Sequence, residues 1–141
     1  MKLDGNDDDL VFSDDEFIER FENCTFPPDR FHHKEHIRLT WLYLGKYEAI
    51  AALDRVSNGI KKFAAALGKV RLYHETITWA YVFLTHERMA RAPLDQSWEQ
   101  FASDNADLFE WKESILKRYY REDTIGSDLA KKVFVMPDRI P

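Results

Sequence analysis

Residues 47–68, YEAIAALDRVSNGIKKFAAALG, decide the fold class. Ile50, Leu53, Val56, Ile60, Phe63 and Leu67 recur at steps of three and four, which is the apolar stripe of an amphipathic helix. Gly68 follows where a helix can close, and Gly59 inside the stripe predicts a kink or a loosened turn. Towards the N-terminus, a second helix is predicted from His33 or Lys34 to Gly45, with Ile37, Trp41 and Leu44 on one face and Gly45 as a left-handed C-cap. Before it, Ser13 and Glu16 fit a capping box, and Phe17 and Phe21 repeat at helical spacing, giving a short helix over about residues 14–23 that Pro27 and Pro28 end.

On the other side, the chain from His74 or Glu75 to Ala92 is apolar almost all round through Ile77 and residues 79–84, the pattern of a central helix, and Pro93 stops it. Asp95 or Ser97 can cap a short helix with Trp98 and Phe101. Another is predicted after Asp107, carrying Leu108, Trp111, Ile115 and Leu116, and a last one from Ser127 with Leu129, Ala130 and Val133. The lone Asp-Gly pair, Asp4-Gly5, is not flanked by alternating apolar runs, so no β-hairpin is signalled. The expected architecture is all-α: a single-domain bundle of about six to seven helices over residues 13–141, behind an acidic, disordered leader at 1–12.

With 141 residues, 45 % apolar and 14 % aromatic, such a chain buries enough surface to fold without staples. Its one cysteine, Cys24, cannot form an internal bridge and points to a reducing compartment. Nine acids and two bases in residues 1–22 put −7 there, so the remaining chain carries +2 of the total −5. A near-neutral body has no basic stripe for phosphates, which excludes nucleic acid as the expected partner. No run approaches the ~20 apolar residues of a membrane span, and the acidic start is unlike a secretory or mitochondrial signal. A soluble cytoplasmic protein is the expectation.

Four of the five histidines concentrate at two predicted helix starts. His32, His33 and His36 open the second helix and His74 opens the fourth, followed by Glu75. His33 and His36, three residues apart, stand on neighbouring turns of one face. Because short links make successive helices antiparallel, the second and fourth helices start at the same end of the bundle, where His33, His36, His74 and Glu75 can meet. Three imidazoles and a carboxylate suit a divalent transition metal such as zinc, iron, nickel or manganese. The same helix starts can instead hold a small anionic metabolite without metal. Arg38 or Arg30, Thr76 and Tyr73 would then contact the ligand, and a histidine oriented by Glu75 would serve as general acid or base. His86, eleven residues beyond Glu75 along one helix, stands apart as a structural histidine; Cys24 reads as a buried thiol, and Trp41, Trp79, Trp98 and Trp111 as core.

The elements Phe31-x-His33-x-x-His36-Ile37 and Tyr73-His74-Glu75-Thr76, with Gly59-Ile60, Tyr119-Tyr120 and Phe134-Val135-x-Pro137-Asp138, resemble a group of small uncharacterised bacterial helical proteins. The resemblance runs from about residue 31 to the C-terminus. It implies no activity, and it singles out His33, His36, His74 and Glu75 while passing over His32 and His86. Two readings of function result. One is a helical protein whose His/Glu site binds a divalent metal and acts on a small molecule; the other is a non-enzymatic interaction module in which the histidines are structural and the acidic leader meets a basic partner.

Overall fold

The structure, a computed structural model, describes residues 12–139; of the leader expected at 1–12 only Phe12 lies among the described residues. Among the described residues seven α-helices follow in order: α1 (Asp14–Glu22), α2 (His33–Lys46), α3 (Ala49–Ala66), α4 (Glu75–Arg91), α5 (Trp98–Asp104), α6 (Glu122–Ile125) and α7 (Asp128–Lys132). Four 3-10 turns, Pro28–Arg30, Val70–Leu72, Ala106–Phe109 and Ile115–Arg118, link them. No strand occurs among the described residues, and none of their helices is long and apolar enough to cross a membrane.

Ser13 starts α1 by accepting the Glu16 N–H at 3.2 Å, as its spacing predicts. Phe17 and Phe21 then lie beneath α3, in a core with Phe26, Leu39, Leu42, Val56, Ile60, Phe63 and Val82. Burying a side chain of this size contributes roughly 1.5–3 kcal/mol, so this aromatic-rich core anchors α1, α2 and α3 to one another. A second core joins Ile37, Ala80, Tyr81 and Leu84 to Phe101, Leu108, Ile115, Leu116 and Tyr120. Trp41 touches both cores, which makes α2 the shared wall between them.

The two glycines inside predicted helices behave differently from the expectation. Gly45 does not close α2; the helix runs on to Lys46 and ends where Tyr47 turns extended. Gly59 does not break α3. It lets α1 approach, because a Cβ there would stand 2.6 Å from Phe21 Cε2. Gly68 takes φ +70° just past α3, the left-handed conformation that only glycine adopts without cost.

The segment after Asp107 departs most from expectation. In place of one helix it forms two 3-10 turns separated by residues 110–114, and α6 follows where no helix is predicted. Arg88 on α4 explains the first turn: it grips Asp107 with two bonds of 2.9 Å and Asn105 with a third, holding the backbone in a tight bend against α4. Trp111 is thereby lifted out of the core, 58 % exposed. Ile50, Leu129 and Val133, assigned to apolar stripes by their spacing, are exposed as well.

The end of the described chain crosses α4 and is tied at several points. Thr76 Oγ1 donates to the Val133 carbonyl at 2.8 Å and accepts the Val135 N–H at 3.0 Å. Tyr120 donates to the Val135 carbonyl at 2.7 Å, and Asp138 accepts from the Arg121 N–H and the Thr124 hydroxyl. Phe134 stacks on Trp79 with ring centres 5.3 Å apart.

Candidate functional site

The starts of α2 and α4 do reach one place. They border an open cavity of about 690 Å³ lined by α2, α3, α4 and the loop bearing Trp111. Ile37, Val56, Ile60, Phe63, Leu67 and Ile77 make much of its wall, and Phe31, Tyr73, Tyr81 and Trp111 add rings. Its polar contributions come from His32, His33, His36, Thr40, Lys69, His74 and Thr78; no Asp or Glu among the described residues lines it.

Each histidine is placed by a different local device. His33, the first residue of α2, has its Nε2 2.7 Å from the Leu108 carbonyl, so Nε2 carries the proton and donates. Its ring packs edge-on against Tyr81, 4.6 Å between centres, and 4.9 Å from Trp111. Burial pushes its pKa down, and the Leu108 bond opposes that shift without cancelling it. His36 lies one turn on and rests against Phe31 with ring centres 4.7 Å apart. Its ring makes no hydrogen bond to any described residue. Burial, with the nearby His33 as a lesser cause, lowers its pKa to about 4, so it is neutral at pH 7.

His74 is spent on the fold. It is the N-cap of α4, with Nδ1 accepting the Ile77 N–H at 3.1 Å. Nε2 must then carry the proton, which it donates to the Ile125 carbonyl at 2.7 Å. Neither ring nitrogen retains a free lone pair for a metal.

Of the other expected site residues, Tyr73 lines the cavity but gives its hydroxyl proton to Glu75 at 2.6 Å. Burial, reinforced by that carboxylate, raises the phenol well above its ordinary range. Glu75 stands outside the cavity wall, between the Tyr73 hydroxyl and Lys61 Nζ at 3.7 Å. Thr76 is fully buried in the crossing described above. Arg38 lies elsewhere, spanning the Phe12 carbonyl at 3.2 Å and Asp14 at 3.0 Å over the Phe17 ring. The expected donor set of His33, His36, His74 and Glu75 is therefore split, and no group of three or more His, Cys, Asp or Glu side chains among the described residues could hold a metal ion. His86 is exposed and apart from the cavity, as its position in the sequence predicts, whereas Cys24, expected to be a buried thiol, is only half-buried and lies outside the cavity.

Tyr81, Thr78 and Trp111 belong to the cavity although their spacing gave no sign of it. Tyr81 and Thr78 sit within the all-apolar-looking stretch of α4, and the helical pattern drew Trp111 into the core. No protein-family model matches the chain, and neither a curated protein nor a solved structure does.

Proposed function

We propose that this protein binds a small, mainly apolar molecule in the cavity between α2, α3 and α4, with His33 and His36 as its polar edge. The observation that supports this is the cavity of about 690 Å³ itself, with the half-buried His36 on its wall presenting a ring that makes no hydrogen bond to any described residue. A ligand hydroxyl or amide beside that ring can pair with it in place of water. The volume lies in the range of ~300–1,000 Å³ usual for small-molecule pockets, and apolar walls with few polar groups are their common make-up. A neutral imidazole there can also accept a proton from a ligand hydroxyl, the first step of acid–base chemistry.

The metal-binding reading retains two imidazoles, His33 through Nδ1 and His36, and would need ligands from outside the set expected at α4. For His74 the structural reading carries, since both of its nitrogens serve the fold. We assign the protein to the cytoplasm on its lone cysteine and its charge pattern.

A thermal-shift screen of small apolar alcohols, amides and acids, run beside divalent metals, tests the proposal. A ligand at a hundred times its Kd stabilises by about 2.7 kcal/mol, roughly 5–10 °C in Tm for a chain of this size. The shift is expected to vanish in Ala64→Trp, which fills the cavity from α3. Elemental analysis of untagged protein covers the metal. Stoichiometric metal lost in His36→Ala, with no organic molecule stabilising the wild type, would overturn the proposal.

A further inference from the structure

We propose that the ligand of this cavity is a neutral hydroxyaromatic molecule, a phenol in chemical class, whose hydroxyl donates to Nδ1 of His33 and whose ring lies against Trp111. This inference rests on the cavity being a ligand site and adds the class of its occupant. The tautomer of His33 carries it. Nε2 lies 2.7 Å from the Leu108 carbonyl, a group that only accepts, so the proton of the imidazole sits on Nε2. Nδ1 is then an acceptor with its lone pair in the plane of the ring. It bonds no described residue and is not sealed from water. Leu108 belongs to the second core and does not line the cavity, whereas His33 does. One nitrogen is therefore fixed to the fold, and the other offers a single acceptor that an O–H donor answers.

The wall also sets charge and shape. Burial lowers the pKa of both His33 and His36, so the two rings are mainly neutral at pH 7. A carboxylate at Nδ1 would meet a lone pair, and no Asp or Glu among the described lining residues answers an ammonium. Lys69, which also lines the cavity, is exposed to solvent and screened by it. Rings gather beside the acceptor. Tyr81 packs edge-on to His33 with centres 4.6 Å apart, and Trp111 stands 4.9 Å from the same ring. One helical turn on, Phe31 lies 4.7 Å from His36 and 5.0 Å from Phe63, and all of these rings line the cavity. A hydroxyl bonded to Nδ1 lies near the imidazole plane, which places the body that carries it among them. Aromatic pairs attract beyond the area they bury, and Trp111, 58 % exposed, keeps much of its ring uncovered by the protein.

Calorimetric titration of the full chain at pH 7 with 4-ethylphenol, its isomer 4-methylanisole, 4-ethylcyclohexanol and 4-methylbenzoate separates the outcomes. 4-Ethylphenol is expected to bind severalfold more tightly than the isomer without an O–H and than the saturated alcohol, with the benzoate weakest. His33→Phe keeps a ring against Tyr81 and Trp111 and should erase the advantage of 4-ethylphenol over 4-methylanisole. Because that variant also loses the Leu108 bond, the wild type supplies a second readout: the nitrogen-15 resonance of His33 Nδ1 should move upfield with 4-ethylphenol and stay in place with 4-methylanisole. Trp111→Ala should weaken 4-ethylphenol more than 4-ethylcyclohexanol, and Ala64→Trp should abolish binding of both. 4-Methylanisole binding as tightly as 4-ethylphenol, or an unmoved Nδ1 resonance in the 4-ethylphenol complex, overturns the assignment of a donor to His33. 4-Ethylcyclohexanol or 4-methylbenzoate binding best overturns the ligand class. Either result leaves the cavity site standing when Ala64→Trp abolishes the binding. 4-Ethylphenol binding undiminished in Ala64→Trp places it elsewhere and overturns the inference too. If none of the four binds, this inference fails, and the cavity reading fails with it when the thermal-shift screen is also silent.

Discussion

α2 and α4 begin at the same cavity, each with a histidine at its start, and the two starts use their histidines in opposite ways. At α4 the imidazole is the cap: His74 satisfies the Ile77 N–H with one nitrogen and the Ile125 carbonyl with the other. At α2 the N-cap is His32, whose N–H Glu35 accepts at 2.8 Å, and His36, a turn further in, has no capping duty. Helix starts need acceptors, and whichever residue supplies one is bound to the backbone. Where glutamate does it, the nearby imidazole is free to face a ligand. A histidine motif at a helix start is therefore no guide to chemistry until its capping partner is known.

The largest effect should come from breaking the α4 side. His74→Ala removes an N-cap, worth about 1 kcal/mol, and orphans the Ile125 carbonyl, worth about 1–3 kcal/mol more. A loss of about 2–4 kcal/mol is expected by denaturant unfolding, visible as a lower midpoint at unchanged slope. An unaffected midpoint would erase the distinction between the two starts.

Next in size is an acid effect that belongs to the α2 side. The folded His36 pKa of about 4 lies below the unfolded value of 6.5, so the unfolded chain takes up the proton first as pH falls. Stability contributed by the neutral ring is complete above about pH 6.5, declines between there and pH 4, and is lost below; the shift corresponds to at most about 3 kcal/mol. Urea unfolding at pH 7, 5.5 and 4.5 should show the decline in the wild type and a flatter profile in His36→Gln. Equal slopes in both would mean that the ring is solvated.

Thr76→Val should cost about 1–2 kcal/mol, because it removes one donor and one acceptor from the crossing of the chain end over α4. Its readout is local. Hydrogen exchange should accelerate at Val135, whose N–H the Thr76 oxygen accepts, and leave α1 protected. Uniform acceleration across both cores would show that the crossing is not a separate unit.

How much of this was legible depended on the length of each element. The long stripes of α2, α3 and α4 specify their helices because many apolar positions agree, and their antiparallel order brings His33, His36 and His74 to one cavity. Gly59 could not be read correctly, since its role depends on Phe21, 38 residues away in sequence. The region after Asp107 was equally opaque. Leu108, Trp111, Ile115 and Leu116 keep a helical rhythm, but the Arg88 grip on Asp107 overrides it. Glu75 and Thr76 were drawn into the site by adjacency to His74, when successive residues on a helix point some 100° apart. Tyr73-His74-Glu75-Thr76 and Phe134-Val135 prove to share one task, because Thr76 and His74 fasten α4 to the later chain while Phe31, His33 and His36 border the cavity.

The smallest effect expected is the most discriminating. His36→Ala deletes a ring that packs on Phe31 and borders empty space, so no buried protein group loses a hydrogen-bond partner. At pH 7 the loss of ring contact is expected to cost within about 1 kcal/mol, well under the His74→Ala value, because the ring is only partly buried and no hydrogen bond is lost with it. A capping or core histidine would behave in the opposite way and cost several times more. Differential unfolding of the two alanine variants, side by side at pH 7, thus measures how far the chain has set His36 aside from its own folding: near-neutral stability combined with lost ligand affinity is the signature of a residue kept for binding, and a cost equal to that of His74→Ala would return both histidines to the scaffold.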